Sequence, residues 1–441
     1  MEHLQNLNTN NSSLERTNKF NEALDYIENS TNSVFITGKA GTGKSTLLEY
    51  FAHTTKKKYV ALAPTGVAAL NIKGQTIHSF FHFYIDITPD KIRKDYKSLY
   101  KKNIYKNLQM IIIDEVSMLR ADLLDCIDTF LQIHGPSPEK PFGGIQMIFI
   151  GDLYQLPPVV SKNDHLLTLY ETPYFFSANA LKAKKLKTIE LDHVYRQKDK
   201  EFIDLLNKIR NNSITQQDIN YLNTRVESNE SNITNKTFIC LTATNQKADS
   251  INLERLNNIR AETFISEAQI QGAFTKDQYP TSTNLQLKVG AQIMLLNNDQ
   301  RRRWVNGTLG TIKAISTDIH GIPCIIVELL HNQKLVSIYK HTWETFNFTF
   351  EGKEIVSEKV GSFTQYPMRL AWAITIHKSQ GKTFDNILID LGTGSFAVGQ
   401  TYVALSRCTS FSGISLLNNI KKTDIKTTSA IAGFLAQTIE A

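Results

Sequence analysis

The stretch SVFITGKAGTGKS, residues 33–45, joins a short apolar run to a glycine-rich turn. The run SVFIT is dominated by apolar and β-branched residues, which favours a strand that is buried on both faces. The segment GKAGTGKS has the spacing G-x-x-x-x-G-K-S, whose backbone N–H groups cradle phosphate oxygens at the start of a helix. The helical pattern STLLEYF follows directly. Because a chance glycine-rich turn needs neither the strand nor the helix, we predict a nucleotide-phosphate site.

Similar apolar runs recur up to residue 151 as YVALA, MIIID and QMIFIG, and each ends at the start of a polar loop. Helical patterns such as DLLDCIDTFLQI lie between most of them. This alternation predicts an α/β fold with a doubly wound parallel sheet and a ligand at the carboxyl ends of its strands. The runs TFICLTAT from Thr237 and NILIDL from Asn386 predict a second α/β domain.

Two segments depart from this alternation. Residues 285–365 contain short alternating runs and an Asn306-Gly307 turn signal, which predict an all-β insertion, a small barrel. Residues 79–106 interleave seven aromatic residues with seven lysines and arginines. Such interleaving suits stacking on bases and binding of phosphates, but a small helical hairpin with buried aromatic rings and a solvated basic face explains it equally well.

The composition restricts the class of protein. A chain of 441 residues with 41% hydrophobic positions can form two or three domains with cores of their own, as in an ordinary soluble protein. The formal net charge of +7 favours a polyanionic partner. Four widely spaced cysteines argue against a zinc site or a disulfide framework and favour a reducing compartment. The polar N-terminus predicts neither a signal peptide nor a membrane anchor, and we expect residues 1–16 and 431–441 to be flexible.

The residues of the nucleotide site can be assigned from their chemistry. We expect Lys44 to bind the β- and γ-phosphates of ATP and Ser45 to bind Mg²⁺. The run IIIDEVSML delivers Asp114 and Glu115 to the end of a buried strand, where Asp114 suits a second Mg²⁺ ligand and Glu115 can polarise the attacking water. The other expected phosphate-loop contacts are Gly38, Ala40, Gly41, Thr42, Gly43 and Thr46.

Further motifs occur in a fixed order. After the glycine-rich loop come APTGVAAL, GQTIHSF, DEVSML, GDLYQLPPV, LDHVYRQ, LTATNQKAD, AWAITIHKSQGKTFD and GQTYVALSRC. In this order they resemble the motifs of superfamily-one helicases. KPFGGIQMIFIGDLYQLPPV and YVALSR resemble in particular the petite-integration-frequency (Pif) DNA helicases, in the branch that includes RecD-like enzymes, and the resemblance covers residues 20–410.

The resemblance implies an architecture. Two RecA-like P-loop domains with parallel sheets flanked by helices would comprise residues 1–184 and residues 185–284 with 366–430. Residues 79–106 would be a wedge that separates duplex strands, and residues 285–365 an SH3-like β-barrel insertion. The two RecA-like domains would hold ATP and Mg²⁺ between them.

The resemblance also implies roles for individual residues. Arg196 and Arg407 would contact the γ-phosphate, Gln155 would sense it, and Gln380 and Gly381 would couple the nucleotide cleft to the DNA loops. The family usually reads adenine with an upstream glutamine, which TNKFNEAL lacks, and Asn21 stands near that place. The residues implied in DNA binding are Pro64, Thr65, Gly66, Val67, His78, Thr242, Asn245, Thr375, His377, Lys378 and Ser379.

The implied function is an ATP-dependent helicase that moves 5′ to 3′ on single-stranded DNA in replication, repair or recombination. Its partners would be single-stranded DNA and duplex junctions, with G-quadruplexes and RNA–DNA hybrids as further candidates, and no membrane. We expect a monomer in solution, with a dimer on DNA as an alternative, and a cytoplasmic or nuclear location. The residues leave open a translocase that strips proteins from DNA without unwinding. A signalling NTPase would leave several of these motifs unexplained. A RecD-like nuclease subunit is closer, but we find neither a long N-terminal docking domain nor a separate carboxylate cluster for cutting DNA.

Overall fold

The structure is a computed structural model. It describes residues 16–84, 86–96, 104–160, 166–182, 186–197, 199–227, 238–351 and 354–439. The N-terminal end that we expected to be flexible therefore lies outside the described residues, apart from Arg16. No described helix is long and apolar enough to cross a membrane.

The first domain is built on a six-stranded sheet in which every pairing is parallel. The order across the sheet is β3-β2-β4-β5-β1-β6. Strands β1, β4 and β5 are buried along their whole length, as apolar runs of this kind predict. The predicted α/β class is therefore confirmed for this domain. The strands are β1 (Val34–Gly38), β2 (Tyr59–Ala63), β3 (Gln75–Thr76), β4 (Met110–Ile113), β5 (Gln146–Ile150) and β6 (Lys187–Leu191).

The helices of this domain lie between and around these strands. Four of them begin after a threonine whose side chain accepts a hydrogen bond from the first turn: Thr17, Thr65, Thr76 and Thr88. The helices are α1 (Asn18–Asn29), α2 (Lys44–Thr54), α3 (Gly66–Asn71), α4 (Ile77–Phe81), α5 (Pro89–Asp95), α6 (Ile104–Asn107), α7 (Ala121–His134), α8 (Leu166–Leu169) and α9 (Asn179–Lys182).

The boundary that we placed at residue 184 is wrong. Strand β6 pairs with β1 along all five of its residues, so the first sheet continues to Leu191. The sequence KTIEL is short and half polar, and its place beside β1 depends on long-range pairing that no local pattern encodes.

The chain then enters the second domain through helices and one central strand. These are α10 (Lys200–Arg210), α11 (Gln216–Asn223), β7 (Ile239–Thr242) and α12 (Asn245–Asn257). Helix α10 is capped by Asp199 and α11 by a capping box between Thr215 and Asp218. The second run that we predicted as an α/β unit therefore forms the expected strand and helix.

An all-β region follows and is longer than predicted. It extends from Phe264 to Leu370 rather than from 285 to 365, because β8 pairs with β10, β9 with β16, and β17 with β11. Its sheets have two, five and three strands. The strands are β8 (Phe264–Glu267), β9 (Gln269–Gly272), β10 (Asn284–Leu287), β11 (Gln292–Leu295), β12 (Leu309–Thr317), β13 (Pro323–Leu329), β14 (Leu335–Ile338), β15 (His341–Glu351), β16 (Glu354–Gln365) and β17 (Met368–Leu370).

The chain returns to complete the second domain. Its parallel sheet has the order β18-β7-β19-β20, so the central strand comes from before the β region. This sheet therefore combines a strand from before the β region with three strands from after it. Its remaining elements are β18 (Ala373–Thr375), β19 (Ile387–Asp390), α13 (Gln400–Leu405) and β20 (Ile414–Leu416).

The expectation of a flexible C-terminus is wrong for the described residues. Helix α14 (Ser429–Ile439) crosses back and packs on β6 of the first sheet. Phe434 stacks on Phe176 with ring centroids 4.5 Å apart, and the hydroxyl of Thr188 donates to that of Thr438 at 2.7 Å. Both domains are therefore tied together by the end of the chain.

The aromatic residues between 79 and 106 are mostly core residues. Phe80, Phe81, Phe83, Tyr96 and Tyr105 are buried. The last four contact the ring of Phe130 in α7, and Phe80 packs on Phe81 and Tyr105. The interpretation of these five rings as a stacking surface for bases is therefore wrong, and the alternative of buried rings is correct. Tyr84 alone among the described aromatic residues of this segment is strongly exposed, at 74%, while Tyr100 lies outside the described residues.

Candidate nucleotide and DNA sites

The glycine-rich loop connects β1 to α2, as predicted. Gly38, Gly41 and Gly43 have φ angles of 155°, 83° and 85°, and the latter two lie in the left-handed region that favours glycine. The ammonium group of Lys44 donates to the carbonyl oxygens of Gly38 at 2.7 Å and Lys39 at 3.0 Å. Lys44 is thus folded back over the loop, where a bound phosphate would compete for the same donors.

The loop is covered by the motif LDHVYRQ. The backbone N–H of Tyr195 donates to the carbonyl oxygen of Gly41 at 2.9 Å. A methyl group on Gly41 would lie 2.4 Å from Cβ of Arg196, so only glycine fits this contact. The structure therefore places Arg196 directly against the phosphate loop, although it lies far along the chain.

The remaining loop residues differ in exposure. Ala40 and Thr42 are buried, and the hydroxyl of Thr42 donates to the carbonyl oxygen of Lys39 at 3.0 Å. Ser45 is exposed and Thr46 is half-buried at the start of α2. Asn21 is exposed on the first turn of α1, where its N–H donates to the carbonyl oxygen of Thr17.

Asp114 and Glu115 follow β4 directly. Glu115 has a φ of 51°, a left-handed backbone that is uncommon for a residue with a side chain and that occurs often at functional sites. Loss of hydration raises the pKa of Glu115 to about 7, with a further rise from the negative charge of Asp114, while Lys44 opposes the shift. Burial also raises the pKa of Asp114. Glu115 can therefore accept or release a proton near neutral pH.

Gln380 links this carboxylate to the second domain. It lies in the turn after β18, and its amide donates to Glu115 Oε2 at 3.2 Å and to Gln155 Oε1 at 3.2 Å. Gln155 is buried in the loop after β5. Gln155 and Gln380, to which the resemblance assigns sensing and coupling, thus meet Glu115, the residue expected to polarise the attacking water.

Arg407 is 1% exposed and is held entirely by the second domain. Its guanidinium donates to the carbonyl oxygen of Val403 at 3.0 Å, to the hydroxyl of Ser406 at 2.9 Å and to the carbonyl oxygen of Lys382 at 3.4 Å. Burial and the positive charge of Arg196 lower the pKa of Arg407 to about 9, and the negative charge of Glu115 opposes this.

Arg196 also lies near the carboxylate of Glu115. It donates to the carbonyl oxygen of Ser406 at 3.3 Å. Burial lowers the pKa of Arg196, and Tyr402 and Glu115 partly offset the effect. Both arginines therefore contribute positive charge to the region of Glu115, where it could stabilise a developing negative charge.

A buried network behind the phosphate loop was missed from the sequence. The hydroxyl of Tyr402 accepts from the N–H of Ala40 at 3.2 Å and donates to Asp152 at 3.2 Å. Arg210 approaches Asp152 at 3.4 Å and Glu190 at 3.6 Å. Asp152 and Tyr402 lie inside GDLYQLPPV and TYVALSR, so their motifs offered a signal. Arg210, at the end of α10, offered none.

The residues implied in DNA binding divide into exposed and buried sets. Val67, Asn245 and Lys378 are exposed, while Pro64, Thr65, His78 and His377 are partly exposed. Burial lowers the pKa of both histidines, so they tend to be neutral. Gly66, Thr242, Thr375 and Ser379 are buried.

The buried hydroxyl groups of this set organise their own loops. Thr242 donates to the carbonyl oxygen of Thr244 at 3.0 Å, and Ser379 donates to that of Ile376 at 2.7 Å. The hydroxyl of Thr375 accepts from the N–H of Lys378 at 3.3 Å. Motif position did not reveal which side chains point inward. These three shape the loops, while Lys378 and Asn245 remain available to a ligand.

Comparison with known proteins places the chain in a family. A family model described as PIF1-like helicase matches residues 13–220, and one described as DNA helicase Pif1, 2B domain, matches 276–315. The chain is 31% identical over 411 residues to the ATP-dependent DNA helicase Pif1 of Bdellovibrio bacteriovorus, covering 90% of this chain and 86% of that relative. It is 34% identical to human ATP-dependent DNA helicase PIF1, covering 88% of this chain but 58% of the human protein.

Solved structures show the same likeness. Bacteroides Pif1 in complex with ADP-AlF4 has a TM-score of 0.87 at 35% identity, covering 96% of this chain and 97% of that chain. The unliganded Bacteroides protein gives 0.85 at 36% identity, with the same shares covered. Bacteroides Pif1 bound to single-stranded DNA gives only 0.65 at 34% identity, again with the same shares. Because the sequence identity hardly changes, the lower TM-score reflects a different arrangement of the domains. This structure has the domain arrangement of the ADP-AlF4 complex and of the unliganded protein.

Proposed function

Because the chain belongs to the PIF1-like helicase family, we propose that it hydrolyses ATP to move along single-stranded DNA and to unwind duplex DNA. The site supports both halves of this proposal. For ATP hydrolysis it combines a phosphate loop, two acids after a buried strand, and two arginines. For DNA binding, an adjacent loop carries the exposed Lys378.

The nucleotide phosphates would lie on the loop between β1 and α2. Its backbone N–H groups and the ammonium group of Lys44 would bind the phosphate oxygens. In exchange, Lys44 would give up its hydrogen bonds to Gly38 and Lys39. The N–H of Ala40, which donates to Tyr402, would be a further donor that nucleotide binding could recruit.

The donor set near the loop fits Mg²⁺. Ser45 and Asp114 would hold the ion, and the described residues contain no group of three or more histidine, cysteine, aspartate or glutamate side chains that could cage a metal. Mg²⁺ usually takes only one or two protein ligands beside phosphate oxygens and water. When bound, it would neutralise charge on the phosphates, and Glu115 would accept a proton from the attacking water.

One observation carries the proposal beyond ATP hydrolysis. Gln380 reaches from the second domain to Glu115 and Gln155 in the first, and it lies two residues from Lys378. Loss of the γ-phosphate would therefore be transmitted through Gln380 to the loop after β18, which we propose binds DNA. Alternation between two arrangements of that loop, driven by ATP, would produce directed movement.

The experiment measures ATP turnover with and without single-stranded DNA, and unwinding of duplexes that carry a 5′ or a 3′ single-stranded tail. We expect DNA to stimulate turnover, and we expect unwinding from the 5′ tail, a polarity that rests on resemblance alone. Stimulated turnover without strand separation would favour the protein-stripping translocase. Turnover indifferent to DNA, or unwinding that needs a 3′ tail, would overturn the proposal.

A further inference from the structure

Helix α13 of the second domain rests on two loops of the first domain. Gly399 precedes the helix, and a methyl group at this position would collide with the carbonyl oxygens of Tyr154 and Gln155 in the loop after β5. In the first turn, Tyr402 extends to the phosphate loop, where its hydroxyl accepts from the N–H of Ala40 at 3.2 Å. One helix therefore touches both the phosphate loop and the loop that carries the expected γ-phosphate sensor.

The other end of α13 holds both arginines of the cleft. Arg407 follows the helix closely and donates to the carbonyl oxygen of Val403 at 3.0 Å. Arg196 belongs to a distant segment, but it donates to the carbonyl oxygen of Ser406 at 3.3 Å. A shift of α13 relative to the phosphate loop would therefore move both guanidinium groups, and the contacts of Tyr402 oppose such a shift.

The hydroxyl of Tyr402 is held in one orientation. Burial and the negative charge of Asp152 raise the pKa of this phenol well above its usual range, so it keeps its proton. It donates that proton to Asp152 Oδ2 at 3.2 Å and has lone pairs left for the N–H of Ala40. The other oxygen of Asp152, Oδ1, accepts from the N–H of Tyr154 at 3.2 Å and from Arg210 at 3.4 Å. The hydroxyl is thus a fixed bridge from the second domain to two loops of the first.

One of the two bonds in this bridge uses a group that nucleotide also needs. The N–H of Ala40 belongs to the phosphate loop, and it would donate either to Tyr402 or to a phosphate oxygen. A buried donor without an acceptor costs free energy, so the empty loop depends on Tyr402 more than the occupied loop does. The bond from Tyr402 to Asp152 involves no loop donor and can persist when nucleotide is bound.

We propose that Tyr402 is a positioning residue that couples occupation of the phosphate loop to the placement of Arg407 and Arg196. Its bond to Asp152 keeps α13, and with it both arginines, against the first domain during hydrolysis. Its bond from Ala40 satisfies the empty loop and is given up to nucleotide. This inference rests on the proposed function and assigns to Tyr402 and Asp152 a part in ATP turnover.

The test compares Tyr402→Phe with the wild-type protein, because this change removes the hydroxyl and leaves the ring. Loss of the bond to Asp152 should lower kcat for ATP at saturating oligothymidylate by roughly tenfold, since the arginines are less well placed. Loss of the bond from Ala40 should tighten binding of a fluorescent, non-hydrolysable ATP analogue by about threefold, since the N–H no longer has to exchange partners. Phosphate release and fluorescence titration measure the two quantities.

The matched control is Tyr170→Phe. The hydroxyl of Tyr170 donates to Asp125 Oδ2 on α7 at 2.8 Å, so this variant also removes a bond between tyrosine and aspartate, but within the first domain alone. It should leave kcat and the affinity for the analogue unchanged. Equal changes in this control would show a general cost of removing such a bond and would overturn the role of Tyr402.

A folded Tyr402→Phe with unchanged kcat, or with binding of the analogue that is unchanged or weaker, would overturn the inference. Thermal melting checks folding, and if Tyr402→Phe does not fold, Asp152→Asn decides. The amide oxygen in Asp152→Asn can keep the bond from Tyr154, but the amide nitrogen cannot accept from Tyr402, so kcat should fall by a similar factor. Unchanged kcat in that variant would also overturn the inference. Absence of DNA-stimulated turnover in the wild-type protein would instead sink the proposed function.

Discussion

At the scale of single residues, Glu115 joins unusual geometry to unusual acidity. Glu115 has a left-handed backbone conformation and a pKa of about 7, and it is buried next to Asp114 and Gln380. Backbone strain of this kind costs on the order of 1–3 kcal/mol and persists only where the surrounding structure enforces it. The position is therefore expected to serve the chemistry rather than the stability of the chain.

Glu115→Gln should retain ATP binding and lose hydrolysis. Glutamine is similar in size and tolerates the same backbone about as well, but it cannot accept a proton, so turnover should fall by about 10²–10⁴. Phosphate release measures turnover, and a fluorescent ATP analogue measures binding. Glu49→Gln, an exposed change on α2, is the control. Normal turnover in Glu115→Gln would show that another group activates the water.

The sequence predicts candidate motif residues because phosphate chemistry demands fixed residue types at fixed spacing. It did not predict which side chains of a motif face inward. Thr242 and Ser379 are used within their loops, whereas Tyr402 bridges the phosphate loop and Asp152. Such bridges join residues hundreds of positions apart and leave no local pattern.

At the scale of elements, the segment between 79 and 106 shows how composition can suggest either of two structures. Aromatic residues interleaved with lysines are typical of a DNA-binding protein surface. They are equally typical of helices that bury one face and expose the other. Packing against Phe130 of α7 decides the matter for four of the rings, and Phe80 is buried beside Phe81 and Tyr105. The decisive information lay in an element outside the segment.

Phe81 and Tyr84 allow a direct comparison of the two interpretations. Phe81→Ala should lower the free energy of unfolding by about 3–5 kcal/mol, because Phe81 is fully buried among aromatic rings. Tyr84→Ala should leave stability within about 0.5 kcal/mol, because its ring is 74% exposed. Thermal and denaturant unfolding measure both changes. If only Tyr84→Ala weakens single-strand binding, base stacking in this segment is confined to that ring.

At the scale of the whole molecule, the predicted domains are less separate than their motifs suggest. The amide of Gln75 donates to the carbonyl oxygen of Phe346 in β15, and the rings of Phe80 and Phe348 lie 6.4 Å apart. The β region therefore rests on the first domain in this arrangement, which is the arrangement that resembles unliganded Bacteroides Pif1. These contacts join two segments that are far apart in the chain, so no local sequence pattern predicts them.

Helix α14 provides the last link between the domains. Ile431, Phe434, Leu435 and Thr438 have the spacing of one helical face, and this face lies on the first sheet although the helix follows the second domain. Separation of the two domains would have to stretch the segment before α14 or detach the helix. We therefore expect α14 to stabilise this arrangement of the domains as well as the first domain.

Phe434→Ala should test this role. It removes ring contacts to Phe35, Phe175 and Phe176, so the free energy of unfolding should fall by about 3 kcal/mol and the melting temperature should fall with it. Gln437→Ala, an exposed change on the same helix, should have no effect. Because the helix ties the first sheet to the second domain, Phe434→Ala should also reduce DNA-stimulated ATP turnover at a temperature where the protein remains folded. Unchanged melting would show that α14 detaches readily in solution, and unchanged turnover with lowered melting would confine the helix to a role in stability.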